Sequence, residues 1–186
     1  MCEAILKGIL SAKSANNTDI TIAEPNNERR LKLEKQYGIN TTASNVQALQ
    51  NKADIIVLSI KPQVLSIVLN EIKDQLSPEQ LLLSIVAGAK LDTLIKSTNH
   101  ESVIRVMPNT PCLVGASASA YCSSPTAKPE DETLIETLLK AVGLAMPTSE
   151  SLMDAITALS GSGPAYVSMV IESLSCLLYT SDAADE

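Results

Sequence analysis

Apolar positions along this chain follow two spacings: short unbroken or alternating runs, and runs in which they recur every three and four residues. Ile20 and Ile22 alternate with polar neighbours across Asp19 to Ala23 and predict a strand. Asn26 or Asn27 can cap the helix that follows, Leu33 and Tyr37 lie one turn apart on it, and Gly38 can end it. Gly38 to Thr42 is a short extended piece, and Ser44 or Asn45 can open a brief helix carrying Val46, Leu49 and Ala53. Asp54 to Ile60 is apolar nearly throughout, the pattern of a strand buried on both faces of a parallel sheet. After Lys61-Pro62, residues Leu65, Val68, Leu69 and Ile72 form one helical stripe whose first turn tolerates the proline.

Leu81 to Ala87 predicts a further buried strand, and Leu91, Leu94 and Ile95 a short helix. Ser102 to Val106 and Ser117 to Tyr121 predict two more strands, and Pro129 to Val142 a helix with acids in its first turn. Cys2 to Leu10 reads as a helix as well. Strand, helix and strand at this spacing, joined by right-handed crossovers, give a doubly wound α/β sheet. From Ser151 onward the pattern is helical, with a Ser160-Gly-Ser-Gly-Pro164 string that reads as a helix stop and restart, Ser162 capping and Pro164 in the first turn.

Composition narrows the function classes. Hydrophobic residues make up 45% of the 186 residues, and with no Trp and no Phe the core has to be aliphatic. The net charge of −7 comes with no basic block, so the counterion-releasing surface that nucleic-acid binding needs is missing. No apolar run reaches the ~18 residues of a membrane span, and no secretory signal is recognisable. The four cysteines form no Cys-x-x-Cys pair and do not gather around His100, so neither a metal site nor a disulfide framework is expected. Thiols in a reducing cytoplasm are the expectation, with His100 in an exposed loop.

In an open α/β sheet, ligands sit outside the carboxyl ends of the strands. Four exits therefore carry the candidate chemistry: Glu24-Pro-Asn-Asn27, Ser59-Ile-Lys-Pro62, Ala87-Gly-Ala89 and Met107-Pro-Asn-Thr-Pro111. An acid such as Glu24 suits ribose hydroxyls, whereas Asn26, Asn27, Arg29 and Arg30 suit a 2′-phosphate; a plain solvated turn accounts for them equally well. Lys61 follows a buried strand and is held at the crevice rim or is simply exposed there. Gly88 permits close backbone approach to a flat ring, or makes a turn. Asn109 and Thr110 are expected to bond their own backbone. Ser160 to Pro164 is not the dinucleotide fingerprint, because a helix precedes it and Tyr166 stands at the third glycine position. No Gly-x-Gly-x-x-Gly occurs anywhere in the chain.

Four stretches in order, Ala53-Asp-Ile-Ile-Val-Leu-Ser-Ile-Lys-Pro62, Ser84-Ile-Val-Ala-Gly-Ala89, Val103-Ile-Arg-Val-Met-Pro-Asn-Thr-Pro111 and Ala158-Leu-Ser-Gly-Ser-Gly-Pro-Ala-Tyr166, resemble the pyrroline-5-carboxylate reductases. That resemblance implies an α/β fold with a Rossmann-like doubly wound parallel sheet, followed by the start of an all-helical C-terminal domain. It implies hydride transfer from NADP or NAD to the imine 1-pyrroline-5-carboxylate, giving proline, in a cytoplasmic homo-oligomer. The cofactor-binding residues it implies are Glu24, Pro25, Asn45, Ser59, Ile60, Lys61, Pro62, Ala87 and Gly88, with no catalytic acid among the residues matched and no metal. Residues 1–148 are then the dinucleotide-binding domain, expected to lack the family's first strand and glycine loop, and 149–175 the truncated start of the helical dimerisation and substrate domain. Residues 176–186 resemble a translated sequencing adaptor and are expected to be foreign to the gene. As it stands, the chain is expected to be an inactive fragment. The rival expectations are a Rossmann reductase of the hydroxy-acid dehydrogenase type and a cofactor-free binding domain.

Overall fold

The structure, a computed structural model, describes residues 1–180. Helix α1 (Cys2–Ser11) opens the chain and leads to strand β1 (Thr21–Ala23), helix α2 (Asn27–Tyr37), strand β2 (Asn40–Thr42) and the short helix α3 (Asn45–Leu49). Local chemistry sets these ends. Asn26 Oδ1 accepts from the Arg29 N–H at 3.0 Å, Ser44 Oγ accepts from the Gln47 N–H at 3.3 Å, and Gly38 closes α2 in the left-handed conformation. Strand β3 (Ile55–Leu58), helix α4 (Leu65–Ile72), strand β4 (Leu81–Ser84), helix α5 (Leu91–Thr98) and strand β5 (Val103–Met107) follow. Strand β6 (Ser117–Ser123), helix α6 (Pro129–Lys140), strand β7 (Gly143–Pro147) and helices α7 (Met153–Ile156) and α8 (Gly163–Thr180) complete the described chain.

The strands form two sheets. β1 and β2 pair in parallel, and the other five lie in the order β3-β4-β5-β6-β7. β3, β4 and β5 are parallel, as their helical crossovers require. Alternate residues of β4 and β5 feed two cores. Leu82, Val103 and Leu94 lie on one side with Leu58, Leu69 and Met153, and Leu81, Leu83, Ile104 and Val106 lie on the other with Ile135 and Leu139 of α6. Helix α1 spans both sheets: Leu6 packs with Leu33 and Ile39, while Ala4 packs with Cys112 and Val142.

In the sheet and its flanks the structure departs from the sequence reading in four places. β6 runs antiparallel to β5, because the 108–116 connection, carrying only the turn Thr110–Val114, is shorter than the dozen or so residues of a parallel crossover. β7, parallel to β6, lies where the sequence reading places no strand: Leu144 and Met146 face outward, so it carries no buried apolar run. β3 is not buried on both faces, since it is the edge of its sheet and Val57 is 46% exposed. His100 is not an exposed loop residue. Asn99 ends α5 with a φ of 58°, which turns the ring inward to a 2.8 Å Nε2 contact with the Gln80 carbonyl.

Met153 is fully buried in the main core, so α7 packs on the same sheet face as α5. Helix α8 is different: Val167, Val170, Ile171, Leu174 and Leu178 are all exposed. It continues through Cys176 to Thr180, inside the stretch expected to be foreign, and residues 181–186 lie outside the described residues. Among the described residues no helix is long and apolar enough to cross a membrane, and no cluster of potential metal ligands occurs.

Burial raises the Cys112 thiol above its ordinary range and, with Glu150 nearby and Arg105 opposing, pushes Cys122 up to about 11. Thiolate is the reactive form, so at pH 8 iodoacetamide should modify exposed Cys176 promptly and Cys112 and Cys122 only after denaturation. Rapid modification of Cys122 in the native protein would mean that this strand opens readily.

Candidate functional site

The parallel strands deliver their carboxyl ends to one edge, where the N-terminus of α1 links the two sheets. The Cys2 thiol lies close to the Ser59 side chain just past β3 and within electrostatic reach of Glu24 and Arg29 just past β1. Burial raises this thiol, outweighing the opposing influence of Ser59 and the Arg29 charge. The N-terminus of α1, the positive end of its helix dipole, lies at this crevice beside Cys2.

At the β1 exit, Glu24 is anchored from two sides. Its Oε1 accepts from the Asn26 N–H at 3.0 Å, and its Oε2 lies 3.3 Å from Arg29 Nε. The Arg30 guanidinium holds the same turn by donating to the carbonyls of Glu24 at 2.8 Å and Pro25 at 3.0 Å, and to Asn27 Oδ1 at 2.9 Å. These contacts divide the polar set: Asn26 caps, Arg30 shapes the loop, and Arg29 neutralises Glu24. A cavity of about 510 Å³ opens beside them, lined by Glu3, Glu24, Asn26, Arg29, Lys32 and Leu33 among others. A larger polar cavity of about 790 Å³ lies at the opposite, amino end of β1 and β3, away from the strand exits.

Lys61 is extended and exposed immediately before the turn Pro62–Val64; its carbonyl accepts from the Val64 N–H at 3.1 Å, and among the described residues its ammonium has no hydrogen bond or ion pair. Ile60 behind it is half-buried against the main core, which fixes the root of the lysine. At the β4 exit Ala87 and Gly88 are exposed, and Gly88 has a φ of +77°, with nothing within 4 Å of where a Cβ would stand. A flat group therefore has backbone-close access there. Asn45 does not join the others through its side chain, because its Nδ2 donates to Glu71 Oε2 of α4 at 2.7 Å. Ser59, Glu24 and α1 are thus brought together, Lys61 and Gly88 leave adjacent strands, and Asn45 ties α3 to α4.

Because Lys61 contributes little to packing, Lys61→Ala should weaken ligand or cofactor use while moving the melting temperature by no more than about 2 °C. A large fall in melting temperature with unchanged ligand use would make it an ordinary strand-end lysine.

Two features escaped the sequence reading. Arg105, in the middle of β5, is 2% exposed and pairs with Glu150 at 3.4 Å and Asp154 at 3.3 Å. A lone arginine in an apolar run, with two acids four residues apart elsewhere, was the available signal. The second is the Ser160-Gly-Ser-Gly-Pro164 string, where the helix does end and restart, with Ser162 at the joint and Pro164 in the first turn of α8, but through a wide turn that the sequence reading lacked. Thr157–Gly161 forms a π-helical turn between α7 and α8, and Ser162 Oγ donates back to the Thr157 carbonyl at 3.3 Å instead of capping. Such wide turns often mark functional positions.

Comparison with known proteins follows the same division. Residues 1–88 match a family model described as NADP oxidoreductase coenzyme F420-dependent, and residues 150–177 match one described as pyrroline-5-carboxylate reductase dimerisation. The chain is 35% identical over 174 residues to a pyrroline-5-carboxylate reductase of Arabidopsis thaliana, covering 94% of this chain and 63% of that protein. Among solved structures it is similar to a pyrroline-5-carboxylate reductase from Coxiella burnetii, with a TM-score of 0.85, 32% identity, and coverage of 93% of this chain and 64% of that one. It is also similar to a Plasmodium falciparum pyrroline carboxylate reductase with NADP bound, with a TM-score of 0.82, 35% identity, and coverage of 92% and 63%. The chain thus spans slightly less than two thirds of these relatives.

Proposed function

We propose that the chain belongs to the pyrroline-5-carboxylate reductase family and that its protein reduces 1-pyrroline-5-carboxylate to proline with NADPH or NADH. The observation that carries this reading is that Glu24, past β1 of one sheet, and Ser59, past β3 of the other, meet at the N-terminus of α1, with Gly88 leaving the neighbouring strand β4. The residues present fit a dinucleotide. Gly88 leaves an open face for a ring, Lys61 offers an unpaired cation, and the cavity beside Glu24 and Arg29 suits an adenosine ribose. When bound, the reduced nicotinamide supplies a hydride to the carbon of a protonated C=N bond.

The chain's own residues bind and orient the reactants. Glu24, with its backbone neighbour Pro25, recognises the adenosine end, and the partly neutralised Glu24–Arg29 pair tolerates either cofactor. Ser59 to Pro62 form the rim, with Lys61 directed to negative charge, and Ala87 and Gly88 form the floor. Asn45 acts from the β2 side by holding α3 against α4.

A helix as apolar and uncovered as α8 needs a partner surface, and a second copy of the chain is the partner proposed, supported by the match of residues 150–177 to a dimerisation model. The cytoplasm is the proposed location, in keeping with the buried thiols Cys112 and Cys122.

The test uses protein expressed from its complete gene. Oxidation of NADPH or NADH is expected with 1-pyrroline-5-carboxylate and not with the keto-acid partner of a hydroxy acid; the reverse pattern would overturn the reading.

A further inference from the structure

The π turn has its own fastening. Asn109 follows β5 and is half-buried, and both ends of its carboxamide are engaged far along the chain. Its Oδ1 accepts from Ser117 Oγ at 3.1 Å and from the Ala118 N–H at 3.0 Å, and its Nδ2 donates to Ser160 Oγ at 3.2 Å. Ser160 Oγ in turn donates to the Ala118 carbonyl at 3.3 Å. Asn109 therefore does not serve its own turn, as its position between two prolines suggested. It locks the first residue of the Ser-Gly-Ser-Gly-Pro string to the start of β6.

The location gives this lock a purpose. Ser84 and Arg105 are paired in register on adjacent parallel strands, and Gly88 and Asn109 each stand four residues beyond them. Both therefore follow the carboxyl ends of neighbouring parallel strands, on the same edge of the sheet. Behind the turn, α7 is held by Met153 in the core and by the Arg105 ion pairs; ahead of it, α8 is largely exposed. The placement of Ser160 at this edge thus rests on two bonds, to the Asn109 carboxamide and to the Ala118 carbonyl.

We propose that Asn109 is a positioning residue for the reduction, acting through Ser160: it holds the π turn beside Gly88 as the wall against which the small imine lies. This rests on the reductase reading above.

The experiment uses protein from the complete gene, with Asn109→Ala, Ser160→Ala and the double variant. Asn109→Ala should raise KM for 1-pyrroline-5-carboxylate about tenfold, the scale of one ordinary hydrogen bond, and leave KM for NADPH within about twofold. Amide hydrogen exchange should quicken across 157–162 and stay unchanged in β4 and β5. The milder Ser160→Ala should shift both readouts in the same direction, and the double variant should be no worse than Asn109→Ala alone. The proposal is overturned if Asn109→Ala leaves imine KM unchanged, raises both KM values equally, or adds its full effect to that of Ser160→Ala. Absence of imine turnover in the unmutated protein would instead refute the reductase reading, and the proposal with it.

Discussion

Gly143→Val should lower the stability of the protein by about 3 kcal/mol or more, the largest single effect expected outside the apolar core. Gly143 opens β7 opposite Ser117 of β6, with a φ of +146° that side chains rarely allow. A Cβ built there would stand 2.2 Å from the Ser117 carbonyl oxygen and 2.4 Å from its nitrogen, atoms that belong to a paired backbone and cannot swing aside. The Ser117 N–H also donates to the Val142 carbonyl at 2.9 Å, so relief by strand movement would break the ladder at its first rung. For a protein of this size, the melting temperature should fall by roughly 10 °C. A change of less than about 2 °C would mean that β7 is not paired as described.

Glu150→Ala should be nearly as damaging, for electrostatic reasons. The Arg105 guanidinium is buried on a central strand, and its other partner, Asp154, is largely exposed. Glu150 Oε1 also accepts from the Leu91 N–H at 2.6 Å, serving the start of α5. Removing it strands most of a buried charge and leaves a helix donor unsatisfied, which costs about 3 kcal/mol. Glu150→Gln keeps an acceptor for Leu91 but not the charge, and should fall between the alanine variant and the parent in urea denaturation. If Glu150→Ala unfolded within about 0.5 kcal/mol of the parent, the ion pairs would be idle.

What the sequence made legible follows from range. β4 could be read because an apolar run is decided by burial alone, β5 because apolar residues flank its one arginine on both sides, and α2 because its Asn26 cap and Gly38 stop are local signals. The strand exits follow from the strands, so Glu24, Lys61 and Gly88 can be named from the sequence. Arg105 and Asn109 could not be assigned roles, because their partners Glu150, Asp154 and Ser160 lie 45 to 51 residues away. The direction of β6 was hidden too, since only the length of the 108–116 link forbids a crossover, and a strand's direction leaves no trace in its composition. His100 was misread for the opposite reason: its polarity suggested solvent, but the turn at Asn99 and one carbonyl satisfy it inside.

The central claim is that this fold presents a reduced nicotinamide to the carbon of a cyclic imine. Protein from the complete gene, supplied with 1-pyrroline-5-carboxylate and NADPH carrying deuterium at the transferable C4 position, tests it by mass spectrometry of the product. The account predicts proline one mass unit heavier, with the deuterium on the former imine carbon. Unlabelled imine recovered intact, with the deuterium instead delivered to a keto acid offered in parallel, would contradict it.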